Sequence, residues 1–191
     1  MSTPARQRFD FASYVLLEDE SVNKHEFLDG QVWAMAGGSP AHAALIASLA
    51  RLLGNQLDGR PCRVFSSDLR IRIRETGLAT YPDLSVVCGK IELDPEDPKG
   101  HTATNPRLLV EVLSPSTEDY DRGEKLAHYK RIPGLREVVL VAQAQPRVEL
   151  WSRPDDASAW IRSEFHEHDL VPLRGLPAEL SLADVYRDPL A

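Results

Sequence analysis

The chain has 191 residues, of which 42% are hydrophobic, and a formal net charge of −7 at pH 7. This length and apolar content predict one globular domain over residues 1–191 with a substantial core, rather than two small domains. The acidic charge argues against a broadly basic nucleic-acid binder, but carboxylates at a metal site would count toward the same total, so charge alone leaves the partner open.

The cysteines and the N-terminus bear on where the protein resides. Cys62 and Cys88 fit neither a metal-ligand spacing nor a disulfide framework, which favours a reducing compartment. The first ten residues, MSTPARQRFD, lack the apolar stretch of a signal peptide, and no run of about 18 apolar residues could span a membrane. These features predict a cytoplasmic protein with no membrane association.

The first predicted elements are a hairpin and a long helix. In HEFLDGQVWAM, Asp29-Gly30 separates two short apolar runs, which predicts a β-hairpin with Glu26 on its first strand. Ser39-Pro40 supplies a cap and a first-turn proline for a helix from about residue 41 to 57. His42, at the head of that helix, can face a cleft at the sheet.

Residues 69–74 alternate between apolar side chains and arginines, the period of a half-buried strand. The arginines are Arg70, Arg72 and Arg74. Such a basic face would suit phosphate contacts, although a charged row on one side of a strand is more often solvated. Asp68, just before the strand, either extends an acidic pocket or forms a turn.

Two buried strands then carry one acid each. Asp83 follows Pro82 in YPDLSVVCG, and Glu111 lies among the apolar residues of RLLVEVLS, beyond a polar segment predicted to be a surface loop, KIELDPEDPKGHTATNP. An unpaired buried charge costs several kcal/mol, so Glu111 needs a partner. If the strands are neighbours, Asp83 and Glu111 converge, and Mg²⁺, which is held by one or two carboxylates, waters and phosphate, would offset the burial.

The next predicted helix, from about residue 121 to 132, adds a lysine. Tyr129 and Ile132 follow Lys125 at i+4 and i+7, so the three side chains share the stripe that faces the sheet. Two further strands, REVVLVA and RVELWSR, are followed by one more strand and a short helix in the tail. This order predicts an α/β fold with a mixed sheet flanked by helices.

Paired carboxylates beside an inward lysine suit phosphodiester hydrolysis. A metal held by the carboxylates polarises the phosphate and lowers the pKa of a bound water, and the lysine stabilises developing charge or orients the nucleophile. The residue types therefore point to metal-assisted hydrolysis.

Three stretches carry a family resemblance: HEFLDGQVWAM, YPDLSVVCG and LLVEVLSPSTEDYDRGEKLAHYKRIPGLREVVLV. Over about residues 10–185 the chain resembles the Uma2 family, also called the DUF820 endonucleases, of the PD-(D/E)XK nuclease superfamily. The resemblance implies a restriction-endonuclease-like fold, a Mg²⁺- or Mn²⁺-dependent endonuclease acting on DNA, and a homodimer. It also implies Asp83 and Glu111 as metal ligands, with Glu26 as an accessory ligand on the same metal.

One position departs from the superfamily pattern. The usual lysine, two residues after the second acid, is replaced here by Leu113. The resemblance implies that its catalytic role has moved to Lys125 in the following helix.

Each candidate also has a structural interpretation. Asp83 could cap a strand, Glu111 could pair with an arginine, and Lys125 could be a surface lysine. Tyr81 and Tyr120 are interpreted as packing or hydrogen-bonding residues. His166 and His168 are spaced like a metal-ligand pair, but alternating histidines on a strand are commonly only exposed.

Two other functional classes compete with the nuclease. One is a catalytically silent descendant of the fold that binds nucleic acid or a protein partner. The other is a metal-free carboxylate-pair hydrolase such as a glycosidase, which the three scattered tryptophans, at positions 33, 151 and 160, do not favour because they form no sugar-stacking cluster.

Overall fold

The computed structural model describes residues 8–35 and 37–187. The helices and strands, in chain order, are α1 (Phe11–Glu20), β1 (His25–Leu28), β2 (Gln31–Ala34), α2 (Pro40–Leu57), β3 (Cys62–Ser66), β4 (Arg70–Arg72), β5 (Ala79–Thr80), β6 (Leu84–Cys88), β7 (Thr102–Ala103), β8 (Leu108–Leu113), α3 (Glu118–Tyr120), a π-helical turn (Asp121–Lys125), α4 (Leu126–Tyr129), β9 (Glu137–Ala142), β10 (Arg147–Ser152), β11 (Ile161–His166), β12 (Leu170–Leu173), β13 (Ala178–Ser181) and α5 (Leu182–Val185).

The main sheet has six strands in the order β11-β10-β9-β8-β6-β3. Its neighbours are antiparallel except for β8 and β9, which run parallel and are joined by the crossover through α3, the π-helical turn and α4. A mixed sheet flanked by helices was predicted from the element order, and the structure confirms this α/β class.

Two apolar clusters cover the two faces of this sheet. On one face, α2 buries a leucine stripe against valines of the central strands; the stripe consists of Leu45, Leu49, Leu53 and Leu57. On the other face, Leu126 and Tyr129 of α4 pack against Leu109 and Leu113 of β8. Because side chains alternate along a strand, Glu111 shares this second face with Leu109 and Leu113.

A second sheet of five short strands, in the order β2-β1-β5-β4-β7, carries the N-terminal hairpin. β1 and β2 pair antiparallel around Asp29 and Gly30, whose φ angles are 52° and 78°. Two consecutive positive φ angles are typical of the tight turn that the Asp-Gly pair predicts. The predicted hairpin is confirmed. Helix α1, which was not predicted, packs Phe11, Tyr14 and Val15 against it.

The basic face predicted for residues 69–74 is largely wrong. Arg70 is buried, and its guanidinium donates to Asp97, Thr102 and Tyr81. Arg72 pairs with Asp94 and Glu96. Only Arg74 of the three arginines is exposed, so this strand offers no row of phosphate-binding cations.

The segment predicted to be a surface loop, residues 90–106, is responsible for this difference. It contributes β7 to the second sheet, and the side chains of Asp94 and Asp97 are buried against the arginines. A buried guanidinium needs a counter-charge, which the loop supplies. The period-2 pattern revealed the strand but not what covers it.

The two cysteines correct a second prediction. Cys62 and Cys88 lie opposite each other on β3 and β6 and form a disulfide bond. Because the two cysteines are far apart in sequence, no local pattern predicts their pairing. It arises from the antiparallel register of β3 and β6. The cysteines therefore no longer argue for a reducing compartment.

The tail contains two strands, β12 and β13, where one was predicted. Residues 1–7 of the segment that was judged not to be a signal peptide lie outside the described residues. No helix in the described ranges is long and apolar enough to cross a bilayer.

Candidate active site

Asp83 and Glu111 lie at the same point of the main sheet. β6 and β8 are antiparallel neighbours with Leu84 opposite Val110, and extending this register by one residue puts Asp83 opposite Glu111. Opposite residues on antiparallel strands have Cβ atoms about 4.5–5.5 Å apart. The strands are neighbours, as the convergence of the two acids required.

The partners of Glu111 are a lysine and a tyrosine. Its side chain is almost completely buried, and its Oε1 atom is 2.9 Å from Lys125 Nζ and accepts a hydrogen bond of 2.5 Å from Tyr129 Oη. Burial raises the pKa of Glu111 to about 8, and the nearby carboxylates of Asp83 and Asp121 act in the same direction. Lys125 and Tyr129 oppose this shift without cancelling it.

Lys125 is the centre of a group of buried charges that we call the acid–lysine cluster: Glu26, Glu111, Asp121 and Lys125. Besides Glu111, Lys125 Nζ lies 3.3 Å from Glu26 Oε1 and 3.4 Å from Asp121 Oδ1. Burial alone would lower the pKa of Lys125, but the surrounding acids, Glu111 foremost, hold it well above its usual value. The ammonium is therefore charged at neutral pH.

Three elements supply the acid–lysine cluster: β1, β8, which carries Glu111, and the π-helical turn. Glu26 comes from the hairpin strand β1, where Thr80 Oγ1 of β5 also donates to its Oε1 atom. Asp121 and Lys125 begin and end the π-helical turn. π-Helical turns are rare in proteins as a whole, but those that occur are often found at functional sites.

Asp83 is fixed by the neighbouring strand and by His42. Its Oδ2 atom accepts a hydrogen bond of 2.7 Å from the backbone N–H of Val112 and is 3.3 Å from His42 Nε2. His42 Nε2 also lies 3.0 Å from the carbonyl oxygen of Val112, so this nitrogen carries a proton and donates. Burial raises the pKa of Asp83, opposed by the Val112 hydrogen bond and His42.

The imidazole of His42 is held against the backbone of Gly38. A Cβ atom at position 38 would lie 2.6 Å from His42 Nδ1, closer than van der Waals contact allows. Gly38→Ala should therefore displace the ring from Asp83 and lower any activity of the site, by at most the roughly 10²–10⁴-fold that a positioned proton-transfer group contributes. Nitrogen-detected NMR of the His42 ring would report the lost hydrogen bond to Val112.

Gly37→Ala provides the matched control for Gly38→Ala. A Cβ atom at Gly37 meets nothing within 4 Å, so this variant should leave both the His42 resonances and the activity unchanged. An unaltered His42 ring in Gly38→Ala would contradict the packing argument.

These groups line a cleft of about 430 Å³. Asp83, Glu111 and Lys125 lie in its lining, with His42 at the head of α2. The lining also includes Trp33 and Met35 at the end of the hairpin and the hydroxyl-rich segment 114–117. The lining thus combines charged side chains, hydroxyl groups and apolar side chains.

The side chains form a partial metal site rather than a complete cage. Within residues 8–35 and 37–187, no three acidic, histidine or cysteine side chains converge on one point that could hold an ion. Two hard carboxylates, Asp83 and Glu111, fit Mg²⁺, which commonly takes one or two carboxylates and fills its shell with waters and phosphate. The like charges that help raise the pKa of Glu111 are those that a cation would neutralise.

Glu26 fits an accessory role less directly. Its Oε1 atom is occupied by Thr80 and Lys125, so contact with a metal would have to use Oε2.

Of the other residues singled out from the sequence, Tyr81 and Tyr120 line the cleft, and Asp68, His166 and His168 lie outside its lining. Asp68 is exposed and pairs with Lys24, so it is a turn residue outside the cleft. His166 and His168 are exposed, and within the described residues neither belongs to a group of three side chains that could hold a metal. Tyr81 donates to Glu18, and Tyr120 lines the cleft.

Three residues of the site were missed by the sequence reasoning: Thr80, Asp121 and Tyr129. Tyr129 was placed on the correct stripe but not recognised as a partner of Glu111. The spacing of Asp121, Lys125 and Tyr129, at intervals of four, is a signal that could have grouped them. No local pattern marks Thr80.

Comparison with known proteins identifies the family. The family model of Uma2, described as "Putative restriction endonuclease", matches residues 11–185. The chain belongs to the Uma2 family.

Relatives and a solved structure extend this assignment. Two Synechocystis proteins, slr1290 and sll1609, both described as uncharacterized, are 38% and 34% identical to this chain over 175 and 154 residues. The matches cover 91% and 81% of this chain and 89% and 85% of the relatives.

The solved structure is from Anabaena variabilis ATCC 29413 and is described as a "putative nuclease belonging to DUF820". It superposes with a TM-score of 0.70 at 19% identity, covering 87% of this chain and 92% of that one, and so shows a shared fold.

Proposed function

We propose that this Uma2 protein is a metal-dependent DNA endonuclease that hydrolyses phosphodiester bonds at the Asp83–Glu111 cleft. The observation that carries the proposal is the buried ammonium of Lys125 beside two carboxylates on adjacent strands. Family membership supports the same reaction class.

Asp83 and Glu111 would hold Mg²⁺ or Mn²⁺, with Glu26 as an accessory ligand. When bound, the cation supplies charge to the phosphate and lowers the pKa of a water molecule. A different hydrogen bond orients each of the two carboxylates. The Val112 N–H pins one oxygen of Asp83, and Tyr129 Oη orients the carboxylate of Glu111. Tyr129 is thus a positioning residue.

Lys125 would stabilise the charge that develops on the phosphate. Its ammonium is already charged and buried, so it needs little reorganisation when the phosphate becomes more negative. A lysine held among three carboxylates is a poor proton acceptor, which excludes it as a general base in this arrangement. Its proposed role is electrostatic.

His42 would assist from the other side of the cleft. With Nε2 donating to Val112 and lying near Asp83, the ring is fixed at the edge of the site. From there it can orient the substrate phosphate or pass on a proton.

The test of the proposal is a cleavage assay with Mg²⁺ or Mn²⁺ on supercoiled, linear, single-stranded and branched DNA. Metal-dependent cleavage that is lost in Asp83→Ala supports the proposal. Absence of cleavage on every substrate, with a folded protein, would favour a nuclease-fold protein that only binds its partner.

Metal binding also predicts a change in thermal stability. A ligand present at 100 times its Kd stabilises the native state by about 2.7 kcal/mol, which for a domain of this size raises Tm by about 5–10 °C. Mg²⁺ should therefore raise the Tm of the wild type but not that of Asp83→Ala, measured by differential scanning calorimetry.

Asp68→Ala is the control for this measurement, because Asp68 is an exposed acid outside the cleft. It should retain the full increment in Tm. An equal increment in Asp83→Ala would place the metal elsewhere.

A further inference from the structure

A tryptophan stands exposed beside the acid–lysine cluster. Trp33 on β2 is directly opposite Glu26 on β1, and cross-strand partners point to the same side of a sheet. Glu26 is in turn 3.3 Å from Lys125. Although large aromatic side chains usually bury most of their surface, Trp33 remains 36% exposed and lines the cleft. Its indole is therefore free to contact a ligand that reaches Lys125.

The described lining of the cleft contains few cations. Lys125 and His42 are its basic side chains, and Lys125 is surrounded by three carboxylates. Arg70 and Arg72, the nearby strand arginines, are paired with acids of the 90–106 segment. Duplex DNA binds chiefly through many phosphate contacts with lysine and arginine. Among the described residues, the lining lacks the row of cations that this mode of binding requires.

The depth of the cleft also selects against a duplex. All four members of the acid–lysine cluster are 4% exposed, so a scissile phosphate must enter the cavity of about 430 Å³ to reach them. In a duplex the bases are stacked and paired, whereas an unpaired nucleotide can splay its base onto an aromatic side chain. The lining also offers the hydroxyl groups of Ser114, Ser116 and Thr117 for sugar and phosphate oxygens.

We propose that the cleft takes an unpaired DNA strand, with a base next to the scissile phosphate stacked on the indole of Trp33. The inference rests on the proposed nuclease function and names its substrate class: single-stranded DNA or an unpaired end, rather than intact duplex. Stacking is tolerant of sequence because every base has a π-face, so Trp33 would supply affinity without base specificity.

Binding can be tested separately from cleavage by using the Asp83→Asn background with Mg²⁺. Fluorescence anisotropy would give the Kd of a labelled 12-nucleotide single strand, of its duplex and of an abasic strand of equal length. Trp33→Ala and Trp33→Phe are compared in this background. Trp160→Ala is the matched control, because Trp160 lies outside the cleft lining under the guanidinium of Arg153.

We expect the single strand to bind at least 10-fold more tightly than the duplex. Trp33→Ala should weaken single-strand binding by about 5- to 150-fold, the range for loss of one stacked base, and Trp33→Phe should retain most of the affinity. Trp33→Ala should leave binding of the abasic strand unchanged, and Trp160→Ala should leave all three Kd values unchanged. Circular dichroism and thermal melting would verify that each variant is folded.

Two results would overturn the inference: equal affinity for duplex and single strand, or a Trp33→Ala variant that binds the single strand as well as its parent does. Either result leaves the nuclease proposal standing if the wild type cleaves duplex DNA. Conversely, Trp33-dependent binding of the single strand by a wild type that cleaves no DNA would support the substrate class and refute the proposed catalysis.

Discussion

Replacing Lys125 with alanine should lower the rate of DNA cleavage by on the order of 10² or more. The expected loss is that of one preorganised group that stabilises charge in the transition state. Lys125 is the lysine in contact with two carboxylates of the site, at 2.9 Å from Glu111 and 3.3 Å from Glu26. Single-turnover cleavage with saturating Mg²⁺ would measure the effect.

The variant needs a structural control, because alanine leaves three buried carboxylates without a counter-ion, a change that is strongly destabilising. Lys125→Gln retains hydrogen-bonding capacity without the charge and should show the same loss of rate with a smaller loss of stability. Lys130→Ala, which removes a neighbouring lysine that packs on Trp151 outside the cleft, should cleave normally. A wild-type rate in Lys125→Gln would refute the assignment.

The displaced lysine can be tested by moving it back. Leu113 lies two residues after Glu111 and packs on the same face of β8 as Leu126 of the lysine-bearing helix. A Leu113→Lys, Lys125→Ala double variant should therefore recover part of the rate, at some cost in stability because Leu113 is buried. No recovery in a folded double variant would show that the two positions do not serve the same phosphate.

The second large effect is expected for Glu111→Gln, which should abolish cleavage and yet leave the metal-free protein stable at pH 8. Burial raises the pKa of Glu111 from 4.5 to about 8, so the folded protein keeps a proton that the unfolded chain releases between these values. The stability of the metal-free wild type should then fall, by on the order of a few kcal/mol, as pH rises from about 4.5 to 8. Because glutamine does not titrate, the stability of Glu111→Gln should lack the pH dependence that Glu111 contributes to the wild type.

Urea denaturation in EDTA at pH 5, 6.5 and 8 would measure the two curves. Glu137→Gln is the control: burial also raises the pKa of Glu137, but this residue lies outside the cleft lining. That variant should change stability while cleavage continues. A large loss of stability in Glu111→Gln at pH 8 would indicate that Glu111 is charged there and serves as a structural partner of Lys125.

Periodicity and turn chemistry predicted the elements that are determined locally. The Asp29-Gly30 hairpin, the capped helix α2 and the buried strands β6 and β8 each follow from a few adjacent residues. Glu111 and Lys125 could be singled out because one is a charge within an apolar strand and the other faces inward from the next helix.

Long-range pairing was not predictable in the same way. The partners of Arg70, the Cys62–Cys88 bond and the hydrogen bond from Thr80 to Glu26 join residues that are distant in sequence, and no local pattern encodes them. The alternation of arginines and apolar residues at 69–74 has the same sequence pattern whether the arginines face water or the aspartates of a covering loop. The homodimer and the cytoplasmic location stay predictions.

The π-helical turn between Asp121 and Lys125 has a consequence for the evolution of the site. Compared with an α-helix, such a turn accommodates one additional residue, and each residue of an α-helix advances the side chains by about 100°. Deleting the exposed Gly123 would therefore restore a regular helix. It would also rotate the side chains on one side of the deletion relative to the other, so that either Asp121 or the Lys125–Tyr129 stripe turns away from Glu111. A one-residue deletion in this helix is thus a single genetic step that separates Lys125 from at least one of its acids without substituting any member of the acid–lysine cluster.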